Sequence, residues 1–316
     1  MIQVTGVTKK YGDRLAVNNI SFEVKKGEVL GFLGQNGAGK TTTMKILTGF
    51  MAATSGSVKI AGFDVFESPI ETKKRIGYLP ETPPLYPELL VSEYLSFIAN
   101  LRAIAKKDRQ KKINSVIERC QLGNVRHRLI ANLSKGYRQR VGIAQALLHD
   151  PDVVILDEPT IGLDPKQVTE ARGLIKSMKG EKTVIYSTHI LSEVAATCDR
   201  ILIINQGQIV AQESISTFGN AGERTKTEIV VKKATQQMLK DLKKVEGVHD
   251  VQSFSNGEHR LVIESDASTE VLSQISELII EQKAGLTRMT PASFGLEEYY
   301  LKLISGEVGT KQGAHV

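Results

Sequence analysis

Tryptophan is absent from the 316 residues, and aromatic side chains make up only 5% of them. Proteins that hold single-stranded nucleic acid stack its bases on aromatic side chains, so this composition argues against that class, and no nucleic-acid partner is expected. No apolar run approaches the ~20 residues that a membrane-spanning helix needs. If the protein works at a membrane, another chain must therefore supply the spanning part.

Cysteine is also scarce. The two cysteines, Cys120 and Cys198, stand apart with no C-x-x-C spacing, and the amino-terminal residues lack the apolar core of a signal peptide. Both features favour a reduced, cytoplasmic setting. Charge of one sign is in only modest excess, with 41 Lys and Arg against 35 Asp and Glu, or +6. This surplus fits phosphate ligands or an anionic membrane face, and it fits an ordinary soluble protein equally well.

One complete motif is present. Residues 34–41 read GQNGAGKT and satisfy the pattern G-x-x-x-x-G-K-[ST], with a predicted strand at 29–33 before them and a predicted helix at 42–48 after them. Glycines leave backbone N–H groups free to surround phosphate oxygens, and the start of a helix adds positive partial charge. The alternative, a Gly-rich turn with an incidental lysine, leaves this whole setting unexplained. The motif predicts binding of a nucleoside triphosphate.

The phosphate loop also supplies most of the predicted site. Lys40 is expected to reach the β- and γ-phosphates, and the Thr41 hydroxyl is expected to ligate Mg²⁺. The other expected nucleotide contacts in this segment are Gly34, Asn36, Gly37, Ala38, Gly39 and Thr42.

A second motif is an acidic pair. The apolar run 153–156, a predicted central strand, ends in Asp157 and Glu158. Ligands of open α/β sheets bind at the carboxyl ends of the strands. Asp157 is therefore expected to hold Mg²⁺, and Glu158 to polarise the attacking water as the general base. Alone, such a pair also fits a strand that ends at solvent; its pairing with the phosphate loop favours catalysis.

A third segment, 133–140, leads into a predicted helix at 141–149. Ser134 is suited to cap a helix, and Gly136 permits close approach to the exposed N–H groups there. By themselves these residues indicate a capped helix and no more.

Taken in order, the segments resemble the ATP-binding subunit of an ABC transporter over residues 1–215. The phosphate loop resembles the family's Walker A motif, and residues 156–158 resemble Walker B. Residues 133–137 resemble the signature, and 162–164 resemble the D-loop.

Three further residues take their expected roles from the same resemblance. His189, after a predicted strand at 183–187, resembles the switch histidine that contacts the γ-phosphate. Tyr11 falls where the family stacks an aromatic ring on adenine. Glu81 occupies the Q-loop position, where most members have glutamine, and is expected to lie near the metal and to couple to the permease.

The resemblance implies a mechanism. Such subunits work as head-to-tail dimers that hold ATP on the Walker A motif of one copy and close the signature of the other copy over it. Ser134 and the N–H groups from Gly136 onward would face the γ-phosphate. A membrane permease on a separate chain would convert closure into transport, so the subunit would lie on the inner face of the cell membrane.

The sequence departs from the family pattern at three further positions. The signature has Lys135 and Tyr137 where the usual form has Gly and Gln, and Ile161 replaces the usual Ser at the D-loop. These departures are expected to affect dimer geometry rather than nucleotide binding.

The predicted fold is a P-loop NTPase of the α/β class, with a mostly parallel sheet, an antiparallel β subdomain and a helical insert at about 88–150. A smaller α+β domain is expected at 225–316, after a linker near 213–225. The smaller domain loosely resembles the extension on ATPase subunits of two-component bacterial exporters, which favours export. Its predicted elements are strands at 228–232, 249–254 and 260–264, helices at 236–244 and 268–283, and an amphipathic segment at 294–304.

Three other functions remain as alternatives. A soluble ABC ATPase of DNA repair would carry long coiled coils, and one of translation would usually hold two cassettes in a single chain. A small-molecule kinase would explain the phosphate loop but not the signature. A module that binds ATP without turnover is disfavoured by the intact Lys40, Glu158 and His189.

The docking site for the permease is expected at residues 83–94, where charge reversal at Glu88 or Glu93 should uncouple transport. The basic run at 106–112 is interpreted as a solvated helix face.

Overall fold

The computed structural model describes residues 1–216, 224–255, 259–266, 268–291 and 300. They belong to two compact units, Met1–Ile215 and a second one that begins at Ser216.

The first unit contains two sheets. Its strands are, in chain order, Ile2–Tyr11 (β1), Arg14–Val24 (β2), Val29–Leu33 (β3), Ser55–Ile60 (β4), Phe63–Asp64 (β5), Ile76–Leu79 (β6), Val153–Asp157 (β7), Thr183–Thr188 (β8), Arg200–Asn205 (β9) and Gln208–Ser214 (β10). Its α-helices are Lys40–Leu47 (α1), Pro69–Arg75 (α2), Val91–Leu101 (α3), Lys106–Arg119 (α4), Lys135–Leu147 (α5), Pro165–Lys176 (α6) and Leu191–Thr197 (α7).

The central sheet runs in the order β10-β9-β3-β8-β7-β6, and every pairing in it is parallel except that of the edge strand β10. Strands β3, β7 and β8 are buried at every residue, as continuous apolar runs in a two-sided sheet should be. Their register places Leu33 beside Thr188 and Asp157 beside Ser187. The predicted parallel sheet is confirmed. The carboxyl ends of β3, β7 and β8 lie side by side at one edge of it.

The second sheet is antiparallel, in the order β2-β1-β4-β5. Strand β2 begins at Arg14, although only its later half alternates cleanly between buried and exposed residues. The rings of Phe22 on β2 and Phe32 on β3 lie 5.8 Å apart, so one core joins the two sheets.

The helical insert is built from α3, α4 and α5, with short 3₁₀ turns at Gly123–Val125 and Ile130–Asn132. Helix α4 carries the basic run, yet it buries Ile113, Val116 and Ile117 on one face. Helix α5 starts at Lys135, directly after Ser134, and so earlier than the predicted 141. Its first turns are polar and lack the apolar period that marks a helix.

The second unit contains a four-stranded antiparallel sheet and two helices. The strands are Arg224–Val231 (β11), Val248–Ser255 (β12), His259–Asp266 (β13) and Leu286–Pro291 (β14), in the sheet order β12-β13-β11-β14, and the helices are Gln236–Leu242 (α8) and Thr269–Glu281 (α9).

The core of the second unit includes Ile229, Leu261, Ile263, Ile275 and Ile279. The α+β class is as predicted, but β14 was not predicted, because a segment that ends in proline is a poor strand by its residues alone. The predicted segment at 294–304 lies, apart from residue 300, outside the described residues.

Candidate nucleotide site

The phosphate loop connects β3 to α1 and packs closely against neighbouring backbone. A Cβ on Gly34 would lie 2.5 Å from the carbonyl oxygen of Ile204, and one on Gly39 would lie 2.6 Å from that of Ala16. Gly39 also has a φ of 111°, at the residue where α1 begins. Only glycine fits either position, so the sequence forces a tight loop at the start of a helix, which is the geometry of an anion site.

Lys40 is buried and bridges the loop to the acidic pair. Its Nζ donates to the carbonyl oxygens of Gly34, at 2.8 Å, and Gln35, at 3.2 Å, and it lies 3.2 Å from Oε1 of Glu158. The ammonium group thus sits between the phosphate loop and the expected general base. A phosphate oxygen in the loop would compete with Glu158 for this cation.

Glu158 is held in an unusual backbone conformation. Its φ is 50°, in the left-handed region that costs a residue with a side chain about 1–2 kcal/mol. Its N–H donates to the carbonyl oxygen of Ser187 at 3.0 Å. Its Oε2 contacts Nδ1 of His189 at 2.9 Å. Backbone strain of this kind gathers at functional sites, and here it takes the chain out of β7 and brings the carboxylate to Lys40 and His189.

Asp157 lies fully buried beneath this pair. Its Oδ1 accepts a hydrogen bond from Oγ of Ser187 at 2.9 Å, while Oδ2 has no partner among the described residues. Burial raises the pKa of the carboxyl group, hydrogen bonds from Ser187 and Thr41 oppose that rise, and the charges of Glu158 and Glu81 add to it. Asp157 therefore keeps one buried carboxylate oxygen without a partner, in a site that also holds the charges of Glu158 and Glu81.

These oxygens fit a magnesium ion. Mg²⁺ in phosphoryl-transfer sites binds through one or two carboxylates and completes its ligands with water and substrate phosphates. The unpartnered Oδ2 of Asp157 next to the Thr41 hydroxyl is such a partial set, with Glu81 close by. No group of three or more His, Cys, Asp or Glu in the described residues is arranged to hold a metal alone. The ion would therefore depend on the phosphates of its nucleotide.

A cleft of about 480 Å³ opens over the loop. Most of the expected nucleotide contacts line it, including Glu158, whereas Gly34 and Ala38 lie in the loop behind it. The lining residues are Tyr11, Arg14, Ala16, Asn36, Gly37, Gly39, Lys40, Thr41, Thr42, Glu81, Glu158 and Ile161.

Tyr11 marks one rim of the cleft. Its ring is 46% exposed at the end of β1, and its hydroxyl donates to Sδ of Met51 at 2.8 Å. Arg14, which sequence reasoning missed, is the cross-strand partner of Tyr11 across the turn at Gly12 and Asp13. The two-residue turn was the available signal, because it places residues 11 and 14 opposite each other. An aromatic face and a guanidinium therefore share the rim.

The signature residues do not line this cleft; Lys135 instead lines a neighbouring pocket, which shares Glu81 and Ile161 with the cleft. Ser134 caps α5 by accepting the N–H of Tyr137 at 3.4 Å, and a Cβ on Gly136 would lie 2.3 Å from Oε1 of Gln167. The Lys135 ammonium packs against Gly162, so the signature and the D-loop touch within one chain. In this chain, then, Ser134 and Gly136 are not brought to the phosphate loop.

Comparison with known proteins agrees with this geometry. The family model described as ABC transporter matches residues 17–161. The bacitracin transport ATP-binding protein BcrA of Bacillus licheniformis is 34% identical over 309 residues, which cover 97% of this chain and 98% of that protein.

Two solved structures share the fold of the first unit. A dimeric cassette, MJ0796, in a post-hydrolysis state bound to ADP and Pi has a TM-score of 0.62 at 26% identity and covers 68% of this chain and 99% of its own. CbiO1 of Clostridium perfringens, part of the ABC transporter complex cbiONQ, has a TM-score of 0.63 at 28% identity and covers 70% of this chain and 91% of its own.

Across the part of the chain that the structure describes, no helix has the length and apolarity to cross a bilayer. With the phosphate loop, the acidic pair and a relative matched end to end, this chain belongs to the ABC transporter family as an ATP-binding subunit with ATPase activity.

Proposed function

We propose that this subunit drives an exporter through ATP-dependent closure of two copies. The observation that carries the proposal is the separation of the two half-sites within one chain. The phosphate loop lines the cleft, while Ser134 and the start of α5 are not among the residues that line it. A second copy arranged head to tail would bring its capped helix start, an anion-binding feature, to the γ-phosphate.

Closure would also change the partner of Lys40. Its ammonium group is shared between loop carbonyls and Oε1 of Glu158. A γ-phosphate would draw Lys40 away and leave the carboxylate free to accept a proton from the attacking water. The base would then be withheld until ATP is bound, and His189 would contact the same γ-phosphate while keeping Glu158 in place.

Magnesium would be held by Thr41 and Asp157, with Glu81 nearby, and would neutralise phosphate charge. Glutamate at position 81 adds a negative charge to a site that already contains Asp157, whose pKa is raised first by burial and then, to a smaller extent, by the charges of Glu158 and Glu81. Binding of a dication would relieve that repulsion. Glu81 would thereby link the metal to the neighbouring residues 83–94.

Residues 83–94 are the proposed docking site for a permease on a separate chain. In the structure, Phe97 lies next to this segment and extends its exposed apolar surface. Tyr86 is 45% exposed and meets the 43%-exposed Phe97 edge-on, with 5.4 Å between ring centroids. Exposed apolar groups in contact with each other mark interaction surfaces. Glu93 accepts the N–H of Leu90 at 2.9 Å and so supports the start of α3. Charge reversal there would damage the helix, so Glu88 is the cleaner test.

The test is membrane association in the host cell. Glu88→Lys or Phe97→Ala should move a tagged protein from the membrane to the soluble fraction, while its ATP affinity after purification stays at the wild-type value. Phe254→Ala, at a similarly exposed aromatic in the second unit, is the matched control and should not move it. Membrane association equal to wild type in both test variants would contradict the docking proposal and the peripheral location on the inner membrane face.

Export is supported by the relative named for bacitracin transport, because that match includes the second unit. For the second unit itself, the proposed role is stabilisation or regulation of the dimer. Removal of everything after residue 222 with no change in dimerisation or ATPase rate would contradict that role.

A further inference from the structure

Glu193 is a buried carboxylate that receives three hydroxyl hydrogen bonds on one oxygen. The side chain, on α7, is 3% exposed. Its Oε2 accepts from Oγ1 of Thr160 at 2.7 Å, from Oγ1 of Thr188 at 3.0 Å and from the hydroxyl of Tyr186. Burial of a carboxylate is costly unless it is fully hydrogen-bonded, so these three donors are needed to keep it there.

Two of the three donors belong to the loops that carry the expected catalytic groups. Thr160 lies two residues after Glu158, in the segment that leads to the D-loop. Thr188 directly precedes His189, and its hydroxyl also accepts the N–H of Ile190 at 3.1 Å, so it fixes the turn on which His189 stands. Tyr186 lies two residues before Thr188 in β8, and its hydroxyl also contacts Oγ1 of Thr160 at 3.4 Å.

The shared oxygen therefore links the segment after Glu158 to the turn that carries His189. It adds to the pairing of β7 with β8, to the bond from the N–H of Glu158 to the carbonyl oxygen of Ser187, and to the 2.9 Å contact between Glu158 and His189. Hydrogen bonds to an ionised acceptor are stronger than those between neutral groups, and they strengthen further when buried. A carboxylate at 193 is suited to hold both loops in one arrangement.

We propose that Glu193 is a positioning residue for ATP hydrolysis, which holds Glu158 and His189 in register through Thr160 and Thr188. The inference rests on the proposed roles of Glu158 and His189. Lys40 and the phosphate loop are held by β3, α1 and backbone contacts, including one from the N–H of Gly34 to the carbonyl oxygen of Thr188, and none of these needs the threonine hydroxyls. Loss of the Glu193 hydrogen bonds should therefore slow the chemical step and leave ATP binding unchanged.

The test compares matched variants at the two threonines. Thr160→Val and Thr188→Val keep the shape and remove the hydroxyl, whereas Thr160→Ser and Thr188→Ser keep the hydroxyl. Each valine variant should lose about tenfold or more in kcat, since displacement of a catalytic group by about 1 Å can cost about 10²-fold. KM for ATP should stay within about twofold of wild type, as expected for an interaction that acts on the reaction rather than on binding.

The controls separate positioning from general stability. The serine variants should restore kcat. Tyr186→Phe removes the third donor and a contact with the hydroxyl of Thr160 but keeps both threonine bonds to Glu193, so its kcat should fall less than that of the valine variants. Wild-type kcat in both valine variants would overturn the proposal. An equal fall in Tyr186→Phe would also overturn it, because the effect would then reflect stability alone.

Amide hydrogen exchange supplies a readout that does not depend on turnover. The amides of residues 160–163 and 189–191 should exchange faster in the valine variants than in Tyr186→Phe, and equal exchange would count against the proposal. If Glu158→Gln retains wild-type turnover, the base assignment under the proposed function fails. The exchange rates still decide whether Glu193 couples the two loops.

Discussion

The two units treat buried charge differently. The first unit buries Lys40, Asp157, Glu158 and Glu193 at the carboxyl edge of its central sheet. In the described part of the second unit, the buried polar side chains are uncharged, namely Thr227 and Ser265.

Charge in the second unit is paired at the surface instead, as where Glu228 meets Arg260 at 2.6 Å and Arg288 at 2.9 Å. Burial of an ion costs several kcal/mol and is a poor way to stabilise a fold. The buried charges of the first unit therefore indicate a site for a charged ligand, whereas the described core of the second unit is built from apolar and uncharged side chains.

The largest expected effect comes from loss of the buried cation. Lys40→Ala should weaken ATP binding by about 2–5 kcal/mol, because it removes a phosphate partner and leaves Glu158 without its lysine. Isothermal titration calorimetry with Mg-ATP measures this. Lys45→Ala, a nearby basic residue on the same helix, is the control and should bind ATP normally. If Lys40→Ala and Lys45→Ala bound ATP equally well, Lys40 would not be the phosphate ligand, and the first unit would not depend on this buried charge for ATP binding.

Matched core truncations test whether the two units differ in function while sharing the same packing physics. Ile155 and Ile275 are both fully buried, so replacement of either by alanine should cost about 2–5 kcal/mol in its own unit. Only Ile155→Ala should also reduce the ATP-dependent rise in Tm, because β7 carries Asp157. Differential scanning calorimetry with and without Mg-ATP reports both quantities. Loss of the ATP response in Ile275→Ala would contradict the separation.

The pH dependence of stability tests the cost of burying Asp157. Its pKa in the folded chain is raised above the ordinary value of 3.8 by burial, so the folded state holds the proton more tightly than the unfolded state. The stability linked to this group is present at low pH and is lost as the pH rises through the raised pKa. Without nucleotide, Asp157→Asn should therefore lose less Tm than wild type between about pH 4 and pH 7.

Mg-ATP should favour wild type over Asp157→Asn, which is the opposite of the order expected for Tm at neutral pH without nucleotide. Asp157→Asn removes the proposed metal ligand, so Mg-ATP should stabilise the variant less than it stabilises wild type. Identical pH slopes in the two proteins, or an identical gain from Mg-ATP, would count against the assignment of Asp157.

The smallest effect is expected at the surface of the second unit. Glu228→Gln should change the free energy of unfolding by less than about 1 kcal/mol, because both arginine partners are more than half exposed. The ATPase rate should stay at the wild-type value. Chemical denaturation measures the first quantity, and a loss above about 2 kcal/mol would show that this unit also depends on its charges.

The parts of the site that could be predicted were those with short-range signals. The pattern from Gly34 to Thr41 defines its own geometry, and the apolar run before Asp157 indicates both a strand and its end. Parallel pairing then brings these segments to one edge. The parallel sheet was predicted from strands that alternate with helices along the chain.

The parts that could not be predicted depend on long-range contacts. The shared oxygen of Glu193 draws on Thr160, 33 residues earlier in the chain. In the sequence, Glu193 is one acidic residue in an amphipathic helix, and nothing near it indicates that Thr160 is a partner. Among the described strands, β14 pairs with β11, so its identity depends on a distant edge rather than on its own residues. The left-handed φ of Glu158 has no sequence signal for a residue of that type.

The most direct measurement is the oligomeric state of Glu158→Gln with and without Mg-ATP, by sizing in solution alongside the ATPase rate. Removal of the base should block hydrolysis and keep ATP binding, so the variant should be monomeric alone and dimeric with Mg-ATP. Addition of Ser134→Arg should keep it monomeric, because Ser134 faces the nucleotide of the second copy in this account. A Glu158→Gln protein that stays monomeric and hydrolyses ATP at the wild-type rate would contradict it.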